Sequence, residues 1–127
     1  MIDNMIELGK RAVWCRGWRW MPGMLAWRPD CPSVRLAAIE DAGNALQEHR
    51  WLPDLTDPAT LGCLLALVRF AYSDPWFYVR PSDTYRPDGV YGWECFGYLP
   101  GRDGGSWRGS GYASEVEALV AALEAAP

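Results

Sequence analysis

Between Lys10 and Arg28 the chain interleaves cations with indole rings. Lys10, Arg11, Arg16, Arg19 and Arg28 alternate with Trp14, Trp18, Trp20 and Trp27, and no acid falls among them. The two residue types have a joint chemistry. An indole face stacks on a flat heterocycle, and a guanidinium fork grips a phosphate or carboxylate through parallel hydrogen bonds. Arg16, Trp18, Arg19, Trp20 and Arg28 are therefore candidate ligand-binding residues. Tyr85 and Arg86, in a turn-rich stretch from Ser82 to Gly89, offer a further ring and a further cation. The plainer alternative is that the tryptophans are core and the arginines solvated or stacked on them, since a half-buried strand alternates in this way.

No other constellation nominates a catalytic centre. The one histidine, His49, stands in a polar run beside Glu48 and Arg50, where position alone does nothing to tune its pKa. The chain has no G-x-S-x-G elbow, no P-loop and no H-E-x-x-H. Gly101 to Gly105 has glycines but neither a lysine nor a following helix start, so it does not read as a phosphate cradle. Paired acids such as Glu40 and Asp41 suit a turn. Cys15, Cys31, Cys63 and Cys95 lack the close spacing of zinc or redox sites and read as free thiols in a reducing cytosol. The expectation is a binding protein rather than an enzyme, with no catalytic residue, metal site or cofactor.

Charge narrows the choice of ligand. A net charge of −4 and a pI near 4.9 argue against general binding to nucleic-acid backbone, which requires many phosphates to be neutralised. A local basic site is still allowed, because the N-terminal cations are segregated from Glu115, Glu117 and Glu124 near the other end. Lys10 is the single lysine among twelve basic residues, a bias that GC-rich coding explains as readily as bidentate anion recognition. Eight tryptophans are more than a domain of this size easily hides, so some are expected at a surface that meets a ligand or partner. The N-terminus carries early acids and no long apolar run, which predicts a cytoplasmic protein without a signal peptide.

With 127 residues, 50% hydrophobic and 22% charged, the chain is expected to fold as a single domain spanning 1–127. Its organising element is the run from Asp57 to Tyr72. Asp57 is a suitable N-cap and Pro58 fits the first helical position. Leu61, Leu64, Leu65, Val68 and Tyr72 form one helical stripe, and Cys63, Leu67, Phe70 and Ala71 widen it. The run is shorter than the roughly 20 apolar residues a membrane span needs, so its cover must be protein.

Around this helix the remaining elements can be placed. Residues 3–15 read as a first helix stopped by Gly17. Trp18 to Trp20 reads as extended, with both indoles on one face and Arg19 on the other, before a Pro22-Gly23 turn. Val34 to Ile39 and Leu46 to Trp51 read as a hairpin reversed at Asp41 to Asn44, although the same residues tolerate a helix. Trp76 to Arg80 is a strand closed by Pro81, Ser82 to Gly89 a loop, Val90 to Tyr98 a strand, Pro100 to Ser106 a loop and Trp107 to Tyr112 a final strand. Ser114-Glu115-Val116-Glu117 is a capping box that opens a C-terminal helix. The fold class is therefore α+β, with N-terminal, central and C-terminal helices on a mostly antiparallel sheet of about four to six strands, in the order α-β-β-β-α-β-β-(β)-α.

The segments Trp18-Arg19-Trp20-Met21-Pro22-Gly23-Met24, Leu55 to Arg69 and Ser114 to Ala126 resemble those of small uncharacterised proteins of tailed bacteriophages and prophages. The first two segments are specific; the third is generic helix. The resemblance transfers no functional residue. It implies a setting in which small accessory proteins antagonise bacterial defence, by sequestering a nucleotide messenger or by capping a defence enzyme. The expected partner is thus a small nucleotide-like ligand or a host protein. A homodimer is also expected, because the central helix is apolar over more than one face and a second copy would cover it.

Overall fold

The computed structural model describes residues 3–37, 50–98 and 106–127. His49, the turn expected at Asp41 to Asn44 and residues 100–105 of the glycine-rich loop lie outside them. In chain order the elements are α1 (Asp3–Val13), β1 (Leu25–Arg28), β2 (Cys31–Arg35), β3 (Leu52–Pro53), α2 (Pro58–Ala71), β4 (Tyr78–Tyr85), β5 (Tyr91–Tyr98), β6 (Ser106–Tyr112) and α3 (Glu115–Ala125). This is the expected α+β order, final strand included. Among the described residues, the six antiparallel strands are divided between two sheets, ordered β2-β1-β3 and β4-β5-β6.

α2 begins where its cap predicts. Asp57 is extended, and Oδ2 accepts from the Thr60 amide at 3.0 Å and from the Thr60 hydroxyl at 2.8 Å. The same hydroxyl accepts from the Leu25 amide at 2.8 Å, so one buried threonine ties the start of α2 to the start of β1. Arg35 on β2 closes the group with both guanidinium nitrogens on the Asp57 carboxylate. Held by that cation and the Thr60 donors, the carboxyl titrates well below the usual carboxylate range.

The helices share one core with the larger sheet. Leu64, Leu67, Val68 and Tyr72 of the α2 segment are buried with Val116, Leu119, Val120 and Leu123 of α3. Leu61 and Leu65 are half-buried, so the inward face of α2 is turned slightly toward Leu67 compared with the expected stripe. The Tyr72 hydroxyl donates to the Ala122 carbonyl at 2.7 Å, and its ring stacks on Phe77 at 5.4 Å. Phe77 in turn lies flat over Gly97. A Cβ there would sit 2.3 Å from the Phe77 ring, so only glycine permits the contact. Ser114 caps α3 by accepting from the Glu117 amide at 3.1 Å, while the Glu117 carboxylate accepts from Ala113 rather than from Ser114, closing the box one residue early.

Cover for the central helix comes largely from within the chain. Leu67 is buried and Cys63 half-buried, which leaves Gly62, Ala66 and Phe70 as its exposed row.

Three local expectations are corrected. Trp18 to Trp20 is not a strand: the Trp18 amide donates to the Cys15 carbonyl, continuing the turn that ends α1, and no ladder forms until Leu25. The expected hairpin of residues 34–39 with 46–51 lies largely outside the described residues; of its first strand, Val34 and Arg35 belong to β2 and pair with β1, which sits between β2 and β3. The short Pro29-Asp30 connection makes β1–β2 the local hairpin, because nearby residues close a ladder at less entropic cost. Pro81 does not end its strand; it pairs with Trp93 inside β4. Among the described strands β4 is at an edge, where the missing amide proton of proline is tolerated. The Ser82 to Gly89 loop accordingly shrinks to a turn at Arg86–Gly89, with Ser82 to Tyr85 belonging to β4.

Candidate functional site

Three segments that are distant in sequence converge on one cleft of about 410 Å³. The connection after α1 supplies Arg16, Gly17, Trp18 and Arg19, the end of α2 supplies Phe70 and Ala71, and the end of α3 supplies Leu123 and Glu124, followed by Ala126 and Pro127. Gly17 makes the convergence possible. A Cβ at that position would meet Leu123 Cδ1 at 3.0 Å and Ala71 Cβ at 3.4 Å, so the connection can lie against both helices only without a side chain. The sequence gives Gly17 the role of a helix stop; close approach is its further use.

Each side chain in the cleft has a defined environment. The Arg19 guanidinium lies over the Phe70 ring, 4.9 Å from its centroid, which fixes a flexible cation on a rigid surface. Phe70 is 70% exposed, so this contact, not core packing, is its main one. Neither Arg16 nor Arg19 forms an ion pair among the described residues, whereas Arg11, Arg28, Arg35, Arg80 and Arg86 each do. Glu124 faces the same cleft, but its two carboxylate oxygens accept from Arg11, with Nε to Oε2 at 3.2 Å. This pairing raises the Arg11 pKa and occupies the Glu124 carboxylate.

Trp18 contributes an orphan donor. Its ring meets Trp20 edge to face at 5.4 Å, and Nε1 is buried with no hydrogen-bond partner among the described residues. A buried indole N–H without an acceptor costs free energy, about 1–3 kcal/mol. Among the described residues no group of three or more His, Cys, Asp or Glu side chains is placed to hold a metal ion, and the buried Cys95 thiol is pushed up to about 11 by desolvation.

No family model, curated protein or solved structure matches this chain.

The site residues expected from the sequence are thereby sorted. Arg16, Trp18 and Arg19 come together in the cleft; Trp20 stands behind them, buried against Trp18. Arg28 is elsewhere, over the Trp51 ring at 5.0 Å and bonded to Cys31 and Asp30 within the small sheet. Tyr85 stacks on Tyr91 at 4.2 Å and Arg86 pairs with Asp88, both in the β4–β5 hairpin, and neither lines the cleft. Phe70, Leu123 and Glu124 were missed. Their helical periodicity marks them as helix surface but says nothing about what meets it. The one signal pointing to a meeting place was Gly17, set between Arg16 and Trp18.

Proposed function

We propose that the chain is a non-enzymatic binding protein whose cleft holds a small nucleotide-like or phosphorylated ligand. The observation that carries this reading is that the two arginines of the cleft stand free of ion pairs among the described residues, beside the aromatic side chains Trp18 and Phe70. Free guanidinium groups favour an oxyanion, and the aromatic wall favours a flat ring. In the phage setting that the sequence resemblance implies, a protein of this kind acts by sequestering a host nucleotide messenger. Calorimetry against mono-, di- and cyclic nucleotides tests it. Micromolar binding that weakens in Arg16→Ala and Arg19→Ala is expected. An absence of binding throughout, or variants that bind like the parent, defeats the reading.

A second reading has its own observation. Trp14 is 87% exposed and Trp76 81%, and large aromatic side chains dominate the energetics of protein interfaces. A host enzyme masked by this surface would co-purify with the parent chain and be lost with Trp76→Ser. No enriched partner, or equal recovery by the variant, removes it. Dimerisation through the exposed row of α2 belongs with this reading, and light scattering coupled to size exclusion decides it against a mass of 14.3 kDa.

A further inference from the structure

The cleft lies between the C-terminal ends of α2 and α3, and helix C-termini carry negative potential. That sets a limit on the ligand. Arg16 and Arg19 bring two positive charges; the Arg11–Glu124 pair brings none, because the fork neutralises the carboxylate. The negative ends of the two helices offset part of that charge, so the positive charge of the cleft is small. A polyphosphate would enter with several negative charges and find few of them compensated. Its remaining charges would face two helix C-terminal ends and a carboxylate already occupied.

Size limits the ligand in the same direction. A volume of about 410 Å³ is near the low end for small-molecule sites. It has room for one ring and one phosphate and too little for a pair of nucleotides. Phe70 adds a geometric restriction, because the face that carries Arg19 cannot also stack on a ring. The cleft therefore offers Trp18 as the aromatic wall and the Phe70-backed Arg19 fork with Arg16 for one anionic group.

Building on the nucleotide-like reading above, we infer that this cleft selects a singly charged phosphodiester carrying one flat ring, with Phe70 positioning Arg19, and rejects polyphosphates and two-ring ligands. Glu124 acts as the discriminator: as long as Arg11 holds it, a monoanion is accepted, and when it is released the cleft loses its net positive charge.

Calorimetry on the full chain at fixed salt tests this with four probes: a 3′,5′-cyclic mononucleotide, the matching nucleoside monophosphate, the triphosphate and a cyclic dinucleotide. The cyclic mononucleotide should bind at least about tenfold more tightly than the triphosphate and the dinucleotide. Arg16→Ala and Arg19→Ala should each weaken it by about tenfold or more, the usual worth of a charge-assisted hydrogen bond. Arg11→Ala should weaken it although Arg11 does not line the cleft, and pairing it with Glu124→Gln should restore it. Phe70→Ala should weaken it with an unchanged melting temperature, and Phe70→Tyr should retain it. Tighter binding of the triphosphate or the dinucleotide overturns the selectivity while leaving a nucleotide-binding protein. The expected probe order with unchanged binding in both arginine variants overturns the assignment to this cleft. No binding by any probe overturns this inference and the reading beneath it.

Discussion

Replacing Asp57 tests the clearest energetic claim of the structure, that one carboxylate joins α2, β1 and β2. Three contributions disappear in Asp57→Ala. Loss of the N-cap costs about 1 kcal/mol. The buried Thr60 hydroxyl loses the acceptor for its proton, at about 1–3 kcal/mol. The Arg35 fork adds only a small share, because Arg35 is half-exposed and solvent screens it. The sum is on the order of 2–4 kcal/mol. Asp57→Asn keeps an oxygen for the Thr60 donors and loses only the charge, so it should cost about 1 kcal/mol.

The pH dependence separates the two variants further. A carboxyl held below its ordinary range contributes stability that is full above its unfolded pKa. That stability fades as pH falls below about 4 toward the lower folded value. The parent should therefore lose stability over this acidic window faster than Asp57→Asn, which has no proton to take up there. Urea unfolding followed by tryptophan fluorescence, at neutral pH and at about pH 3, measures both effects. A cost below about 0.5 kcal/mol for Asp57→Ala, or parallel acid profiles for the parent and Asp57→Asn, would refute the reasoning.

Three further outcomes follow from particular contacts. Gly97→Ala should destabilise the chain by about 1–3 kcal/mol, the range for overpacking, because the new Cβ lands on the Phe77 ring; the midpoint of urea unfolding reports it. Tyr72→Phe removes the donor to the Ala122 carbonyl and leaves a buried acceptor unpaired, at a cost of about 1–3 kcal/mol, seen as a lower melting temperature. The Cys95 thiol, buried and raised to about 11, should resist a thiol reagent at mildly alkaline pH until the chain unfolds, and a second phase of labelling should appear in denaturant. Equal labelling of all four cysteines in the native state would contradict its burial.

The sequence discloses those features that depend on neighbours along the chain. Asp57-Pro58 and Ser114 open their helices as read, because a cap is decided within one turn. The strands from Tyr78 and Tyr91 were legible for the same reason, through runs of aromatic and β-branched residues. Where several pairings competed, local reading had no way to choose: Val34 takes its partner from β1, which only the tertiary structure places between β2 and β3. The cleft was legible on one side only. Arg16, Trp18 and Arg19 share a short segment and were selected together, whereas Phe70 and Glu124 reach them through the packing of two helices. Tyr85 and Arg86 were grouped with that segment by residue type, and folding carried them into the β4–β5 hairpin instead.

Pro81 has a consequence for how the molecule behaves in a crowded solution. It lies on an outer strand and has no amide proton to donate. Between it and Tyr85 the register with β5 slips, which bends the ribbon. A neighbouring molecule sliding along this rim finds three continuous residues, Tyr78 to Arg80, before the template breaks. That is too short a stretch to seed a growing stack. The aromatic rings displayed on this strand can therefore stay in water without making it the starting point of a fibril.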